Sequence, residues 1–218
     1  KEVGGDFYDF YFVNKDTLAF LIADVSGKGI PAAMFMMNAK AVLKSYAESG
    51  LDVNKVFTLG NEKLCEGNDA GMFVTAWMGF LNTETGEVTF ANAGHNPPLV
   101  RHADGSFEYL KVRAGFVLAG MEGVKYRKNE LQLAPGDVIY LYTDGVTEAT
   151  NINDELYGED RLLALLNANK EASMEELCKL VKEDVFAFAG EAPQFDDITM
   201  LALKYCGATA PTNQEEAL

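Results

Sequence analysis

"GGDFYDFYFVNKDTLAFLIADVSGKGIPAAMFM", residues 4–36, holds two runs rich in aromatic and branched residues on either side of Asn14-Lys15-Asp16, then an aspartate, a Ser-Gly-Lys-Gly turn and a run of good helix formers. Aromatic and β-branched runs around a short polar turn predict an antiparallel hairpin. Folding about residue 15 pairs positions whose numbers sum to about 30, which makes Asp6 and Asp24 cross-strand neighbours. Two adjacent carboxylates repel, and a hairpin tolerates them only with a compensating proton or cation. Pro31 suits a first helical position, where its missing N–H costs nothing, and the helix runs on to Gly50.

The same hairpin logic extends along the chain. "MFVTAWMGFLN" turns through "TETG" into "EVTFANAG", and a third candidate joins "YRKNELQL" through Ala134-Pro135-Gly136 to "DVIYLYTDG". "DITMLALKY", residues 197–205, reads as a last strand. Ser173 and Glu176 have capping-box spacing, and Met174, Leu177, Val181, Val185 and Phe188 fall on one helical face before Gly190. "LAFLI", "VTAWMGF" and "ITMLAL" are apolar on both alternating faces, so both faces of each sheet need a cover. Short hairpin links make the sheets antiparallel. The expectation is an α+β fold, a layered sandwich with helices outside two packed sheets.

Composition narrows the function. Hydrophobic residues make up 48% and charged ones 23% of 218 residues, enough for one large domain with a sizeable core. The 33 acidic against 18 basic residues, a net charge of -15, would repel a polyanion, so nucleic acid is not expected as a partner. The ordinary role of such an excess is solubility; the sharper one is that some carboxylates hold cations. Cys65, Cys178 and Cys206 are odd in number and widely spaced, which suggests neither a disulfide framework nor a zinc site and fits a reducing compartment. No run approaches a membrane span and no leader pattern is seen, so direct membrane contact is not expected. The opening on "KEVGGD" without a Met reads as a fragment whose upstream part is a sensor or linker, and 207–218 as a polar, disordered tail.

The turn at 26–29 has three readings. A P-loop fails, because Gly27-Lys28 is followed by Gly29 and the position five before Gly27 is Ile22. Gly27-x-Gly29-x-x-Ala32 matches the loose dinucleotide pattern, although the preceding strand has a hairpin partner and no second parallel strand arrives before Asp52. The metal reading gathers Asp6, Asp24, Asp144 in "TDGVTEA" and Asp196-Asp197 in "FDDITML", each at a strand end. Singly, these aspartates are ordinary turn chemistry. Together, as oxygen ligands without nearby His or Cys, they suit Mg²⁺ or Mn²⁺, two of which could activate a water against a phosphoryl group.

"VGGDFYD", "ADVSGKGIPAA", "FANAGHNPP", "GDVIYLYTDGVTEA" and "FDDITML" occur in the order found in the SpoIIE/RsbU branch of the metal-dependent protein phosphatases related to protein phosphatase 2C, and over residues 2 to about 205 the chain resembles that family. The resemblance implies a four-layer α-β-β-α sandwich over 1–206. It also implies hydrolysis of phosphoserine or phosphothreonine on a phosphorylated STAS-type protein in the cytoplasm, in a pathway that regulates a sigma factor. Carried over, Asp24 bridges two Mn²⁺ or Mg²⁺ ions, the Val25 carbonyl ligates one, Asp6 joins directly or through water, and Asp144 with Asp196 holds the other. Asp197 is the alternative to Asp196. Metal-bound water is the implied nucleophile, Lys28 a candidate for attracting the substrate phosphate, and Gly27 and Gly29 let the turn pass close to the metals. Ser26 stands where eukaryotic relatives have a proposed acid histidine, and His95 where they have an aspartate of a third metal site. A general acid is therefore unassigned and a third ion is not expected; His95 reads as a turn or packing residue. Asp9, Asp104 and Glu148 read as surface groups, and Met34, Met36 and Met37 as core filler. The alternatives left open are a degenerate phosphatase fold that only binds its partner, and nucleotide binding by the GKG turn. Homodimerisation is likewise left open.

Overall fold

The computed structural model describes residues 3–103, 105–194 and 196–208; the expected tail beyond 208 and Asp104 lie outside them. Among the described residues nine strands form two antiparallel sheets. The first contains β1 (Phe7–Asn14), β2 (Thr17–Val25), β3 (Val74–Asn82), β4 (Glu87–Ala93) and β7 (Asn129–Gln132), in the order β1-β2-β3-β4-β7. The second contains β5 (Leu99–Arg101), β6 (Phe107–Tyr109), β8 (Val138–Tyr142) and β9 (Met200–Lys204), in the order β6-β5-β8-β9. The helices are α1 (Gly29–Glu48), α2 (Val53–Cys65), α3 (Asp144–Thr147), α4 (Glu159–Ala168) and α5 (Met174–Ala189).

Alternation along the strands makes the layers. In β2, Phe20 and Ile22 point between the sheets to meet Trp77, Phe90, Ile139 and Leu141, while Leu21, Ala23 and Val25 point outward to Ala32, Ala39 and Leu43 of α1 and Val56 and Phe57 of α2. In β8, Val138, Tyr140 and Tyr142 turn the other way, onto Leu162 and Leu166 of α4 and Leu177, Val181 and Val185 of α5. Three cores thus separate four layers, α-β-β-α, as expected. Trp77 stacks on Phe90 at 5.2 Å between ring centroids at the middle of the sandwich. Burying an aromatic or aliphatic side chain of this size is worth about 1.5–3 kcal/mol, so the central core is a principal source of stability. Among the described residues no helix is long and apolar enough to cross a membrane.

The first hairpin has the expected register. Phe7 faces Ala23 and Tyr8 faces Ile22, so Asp6 and Asp24 come next to each other just beyond the ladder. The second hairpin also forms, with Leu81 opposite Val88. The third does not: β7 pairs with β4 and β8 with β5 and β9, so Ala134-Pro135-Gly136 carries the chain from one sheet to the other. The Leu133 N–H donates to the Gly86 carbonyl and keeps the end of β7 on the first sheet. The buried Asp137 carboxylate, meanwhile, collects the amides of Ala134 and Ala103 and anchors β8 in the second.

Three further readings need correction. Helix α1 begins at Gly29, which places Pro31 two residues inside its first turn, where an absent N–H still breaks no intrahelical bond. Met34 and Met37 are not core filler. They are about two-thirds exposed with Ile30 on the face of α1 opposite Ala32, Ala39 and Leu43, and only Met36 packs inward. The dinucleotide reading falls as well, because β2 lies between antiparallel partners β1 and β3. Helix α5 matches expectation: Ser173 Oγ accepts the Glu176 N–H at 3.2 Å, and Gly190 ends the helix with φ 59°.

Candidate metal centre

Three backbone approaches bring the acidic residues to one end of the sandwich. Asp6 precedes β1 and Asp24 lies near the end of β2, with Thr75 of β3 directly opposite it. Asp144 opens α3 immediately after β8, and Asp196 and Asp197 precede β9, which pairs with β8. The loops pack so closely that side chains are excluded. A Cβ on Gly5 would stand 2.8 Å from the Val25 carbonyl oxygen, and one on Gly145 would collide with the Asp197 carbonyl.

Hydrogen bonds fix the acids in place. Thr143 Oγ1 donates to Asp6 Oδ2 at 2.7 Å and accepts the Thr199 N–H at 3.0 Å, locking β8, β9 and the start of β1 together. The two candidates for the last ligand face different ways. Asp197 Oδ2 accepts the Gly5 N–H at 3.1 Å, whereas Asp196 Oδ2 stands 3.5 Å from Lys28 Nζ across the basin.

Burial, and then the charge of Asp6 and a hydrogen bond with it, push Asp24 up to about 8; Asp144 and Asp196 add to the effect. Burial lifts Asp6 to about 6 against its hydrogen bonds to Thr143 and Thr199. Asp144 is raised by burial and by Asp196. Four acids therefore feel one another across one basin, and without positive charge the Asp6–Asp24 pair holds a proton near neutral pH. As the side chains stand, no group of three or more acidic, histidine or cysteine residues among the described ones is arranged to hold a metal ion. The donor chemistry still fits a hard divalent cation. The oxygens are all anionic or carbonyl, and replacing the shared proton by a cation relieves the same repulsion.

The sequence reading passed over Thr143 and Thr199 and took Glu148 for a surface group. Glu148 lies four residues after Asp144, donates its N–H to the Asp144 carbonyl at 2.7 Å, and is raised by burial and by the charges of Asp144 and Asp196. The i, i+4 spacing in "DGVTE" is the signal that could have placed it at the rim. Asp9 is a surface group, 3.5 Å from Lys40 Nζ. Ser26 Oγ accepts the Phe73 N–H at 2.9 Å and closes the 26–29 turn onto the start of β3.

His95 is a structural histidine. Its Nε2–H donates to the Tyr142 carbonyl at 3.1 Å, so Nδ1 accepts from the Thr75 hydroxyl at 2.9 Å and the ring ties the two sheets together beside the site. Asn92 closes the turn below it from both ends, taking the His95 N–H at 2.8 Å and giving its amide to the His95 carbonyl at 3.0 Å. Burial pushes the ring down from 6.5 to about 4. The unfolded chain therefore binds a proton first, and this stabilisation, complete above pH 6.5, is lost as pH falls towards 4, on the order of 3 kcal/mol. Urea midpoints at pH 7 and pH 4.5 check this: His95→Gln should lose less stability on acidification than the parent.

A double-sheet sandwich clad by helices on both faces is the architecture of the PP2C phosphatase domains. The SiaA-PP2C domain of Pseudomonas aeruginosa superimposes with a TM-score of 0.80 at 25% identity, over 93% of this chain and 80% of that one. The structure of the RsbU and RsbW domains of Rv1364c from Mycobacterium tuberculosis does so at 0.83 and 26%, over 95% of this chain and 57% of that one. The profile of the family described as Stage II sporulation protein E (SpoIIE) matches residues 14–205, and the chain belongs to that family. It is 32% identical to the phosphoserine phosphatase RsbU of Bacillus subtilis, covering 94% of this chain and 60% of RsbU. It is also 32% identical to Protein IcfG of Synechocystis sp., covering 93% of this chain and 36% of IcfG. By family and by fold it is a domain of the PP2C-type serine/threonine phosphatase class, and it spans only part of each of these relatives.

Proposed function

We propose that this chain hydrolyses phosphoserine or phosphothreonine on a protein with two Mn²⁺ or Mg²⁺ ions, and that its substrate is a phosphorylated STAS-type protein in a cytoplasmic partner-switching pathway that controls a sigma factor. The observation that carries the reading is the Asp6–Asp24 pair, two carboxyls forced together at strand ends with Asp144 and Asp196 across from them. RsbU and RsbP of Bacillus subtilis, both named phosphoserine phosphatases, support the reaction, and the pairing of RsbU with RsbW domains in Rv1364c supports the pathway. The described cysteines are free thiols, in keeping with a reducing compartment.

Asp24, with the Val25 carbonyl beside it, would bridge the ions; Asp6 would join them directly or through water, and Asp144 with Asp196 would complete the set. Bound there, the ions would supply positive charge for the phosphoryl oxygens and lower the pKa of an attacking water. Lys28, on the exposed turn beside Asp196, would draw the substrate phosphate in, while Gly27 and Gly29, at φ 84° and 75°, keep the turn bare where it passes the basin. Glu148 is placed to accept a hydrogen bond from an incoming water at the rim. His95 has both ring nitrogens engaged, so the leaving serine oxygen takes its proton from solvent. An upstream sensor or linker in the same polypeptide would govern the domain, and homodimerisation is one means it could use.

The test is release of phosphate from a phosphoserine protein by the purified chain with and without millimolar Mn²⁺. Activity that appears only with the ion supports the reading; none at any Mn²⁺ concentration favours a binding module. Asp196→Asn should cost roughly a hundredfold in kcat, and Asp197→Asn, which mainly weakens a bond to the Gly5 amide, roughly tenfold or less. The reverse order would exchange the two roles.

A further inference from the structure

Residues 111–128 are a basic island in an acidic chain, with Lys111, Arg113, Lys125, Arg127 and Lys128 against the single acid Glu122. The fold gathers three of them. Arg113, Lys125 and Arg127 line one surface hollow with Asn92, Phe116 and Asn129. Among the described residues no carboxylate stands within ion-pairing reach of these three cations, although Lys128 beside them pairs with Asp52 at 3.8 Å. Elsewhere Lys40, Lys63, Arg101, Arg161 and Lys179 each have an acidic partner. With almost two acids per base in the chain, unanswered cations converging on one hollow run against the mixing of signs that solubility favours.

The segment that lines the hollow is tied by backbone bonds to the strands beside Asp24. The Gly115 N–H donates to the Asn92 carbonyl at 2.8 Å, on the turn that carries His95. Leu118 exchanges two backbone bonds with Val74, which lies opposite Val25, the residue after Asp24. The basic segment is thus stitched to the same end of the first sheet that presents Asp24.

We infer that this hollow is the docking site for an acidic segment of the phosphoprotein substrate, an inference that rests on the phosphatase reading above. The net charge of -15 repels an anionic protein at long range, and a local patch of opposite sign both overcomes this and orients the encounter. Screening within about 8 Å at physiological salt confines the attraction to a short segment lying on the patch. An extended polyanion would instead run onto the acidic surface around it. Phe116, half-exposed at the rim, offers a flat apolar contact to a side chain flanking the acidic run.

The test uses fluorescence anisotropy of a labelled hexaglutamate peptide with the whole chain at low salt and without metal. The parent should bind the peptide, and the triple variant R113Q/K125Q/R127Q should bind it at least about tenfold more weakly. K44Q/K63Q/K179Q, with the same change in charge, should stay within about twofold of the parent. Arg113→Gln alone should weaken binding by roughly threefold and stands in if the triple variant does not fold. Equal losses in the two triple variants, no binding by the parent, or tighter binding of a single-stranded DNA of matching charge would each overturn the proposal. Because Asp24→Asn leaves this hollow intact, peptide binding that survives in that variant separates failure of the docking site from failure of the phosphatase reading.

Discussion

Asp24→Asn should lower phosphoserine hydrolysis by roughly a thousandfold or more, about 4 kcal/mol of transition-state stabilisation, and should make the metal-free protein harder to unfold. Both effects come from one cause. Asp24 is held beside Asp6 and faces Asp144 and Asp196, so its negative charge is useful only to a bound cation and is a burden without one. Folding raises Asp24 from 3.8 to about 8 and Asp6 to about 6, so the folded state binds protons that the unfolded chain has released. The contribution of this pair to the stability of the metal-free protein is full below about pH 4 and is lost as pH climbs through 6 towards 8. Asparagine cannot ionise and escapes that loss. At pH 8 without metal its melting temperature should exceed the parent's by roughly 5 °C, and the gap should close near pH 4. Parallel assays of activity with Mn²⁺ and thermal unfolding in chelator check both halves; a variant that loses activity and stability together would point to simple misfolding.

Gly145→Ala is the second large effect, expected in a residue that carries no chemistry. Its added methyl has no space, because it would collide with the carbonyl of Asp197 in the loop that bears both candidate ligands. The 196–197 backbone must move, and displacement of a ligand by about an ångström is enough to cost roughly a hundredfold in rate. Phosphate release should fall by about that factor while far-ultraviolet circular dichroism stays that of the parent. Weaker Mn²⁺ affinity in titration, alongside the loss of rate, would tie the effect to ligand placement. Unchanged activity would mean that the loop tolerates the shift and that Asp196 is not held as tightly as the packing suggests.

The parts of the fold that could be read from residues were those set by short-range rules. The Asn14–Asp16 turn fixed the register that brings Asp6 to Asp24, and Ser173 with Glu176 marked the start of α5. The crossover at Ala134–Gly136 was misread as a hairpin because its signal, a Pro-Gly turn between two strands, is the same whether the strands share a sheet or not; the buried Asp137 decides, by bonds to residues far away in sequence. Strands β5 and β6, of three residues each, are too short to show a period. At the site, each aspartate was visible at a strand end. Thr143 was not, since its role depends on contacts with Asp6 and Thr199, 137 and 56 residues away. The exposure of Met34 and Met37 also had no local sign, because helix periodicity says which residues share a face but not which face meets the sheet.

Calorimetric titration of the purified chain with Mn²⁺ tests the central claim, that acids from separate strand ends form one divalent-cation centre. The account predicts uptake of two ions by the parent, accompanied by proton release near pH 7 as the Asp6–Asp24 pair gives up its proton, and loss of most of that uptake in Asp24→Asn. No uptake by the parent, or the same uptake by Asp24→Asn, would contradict it.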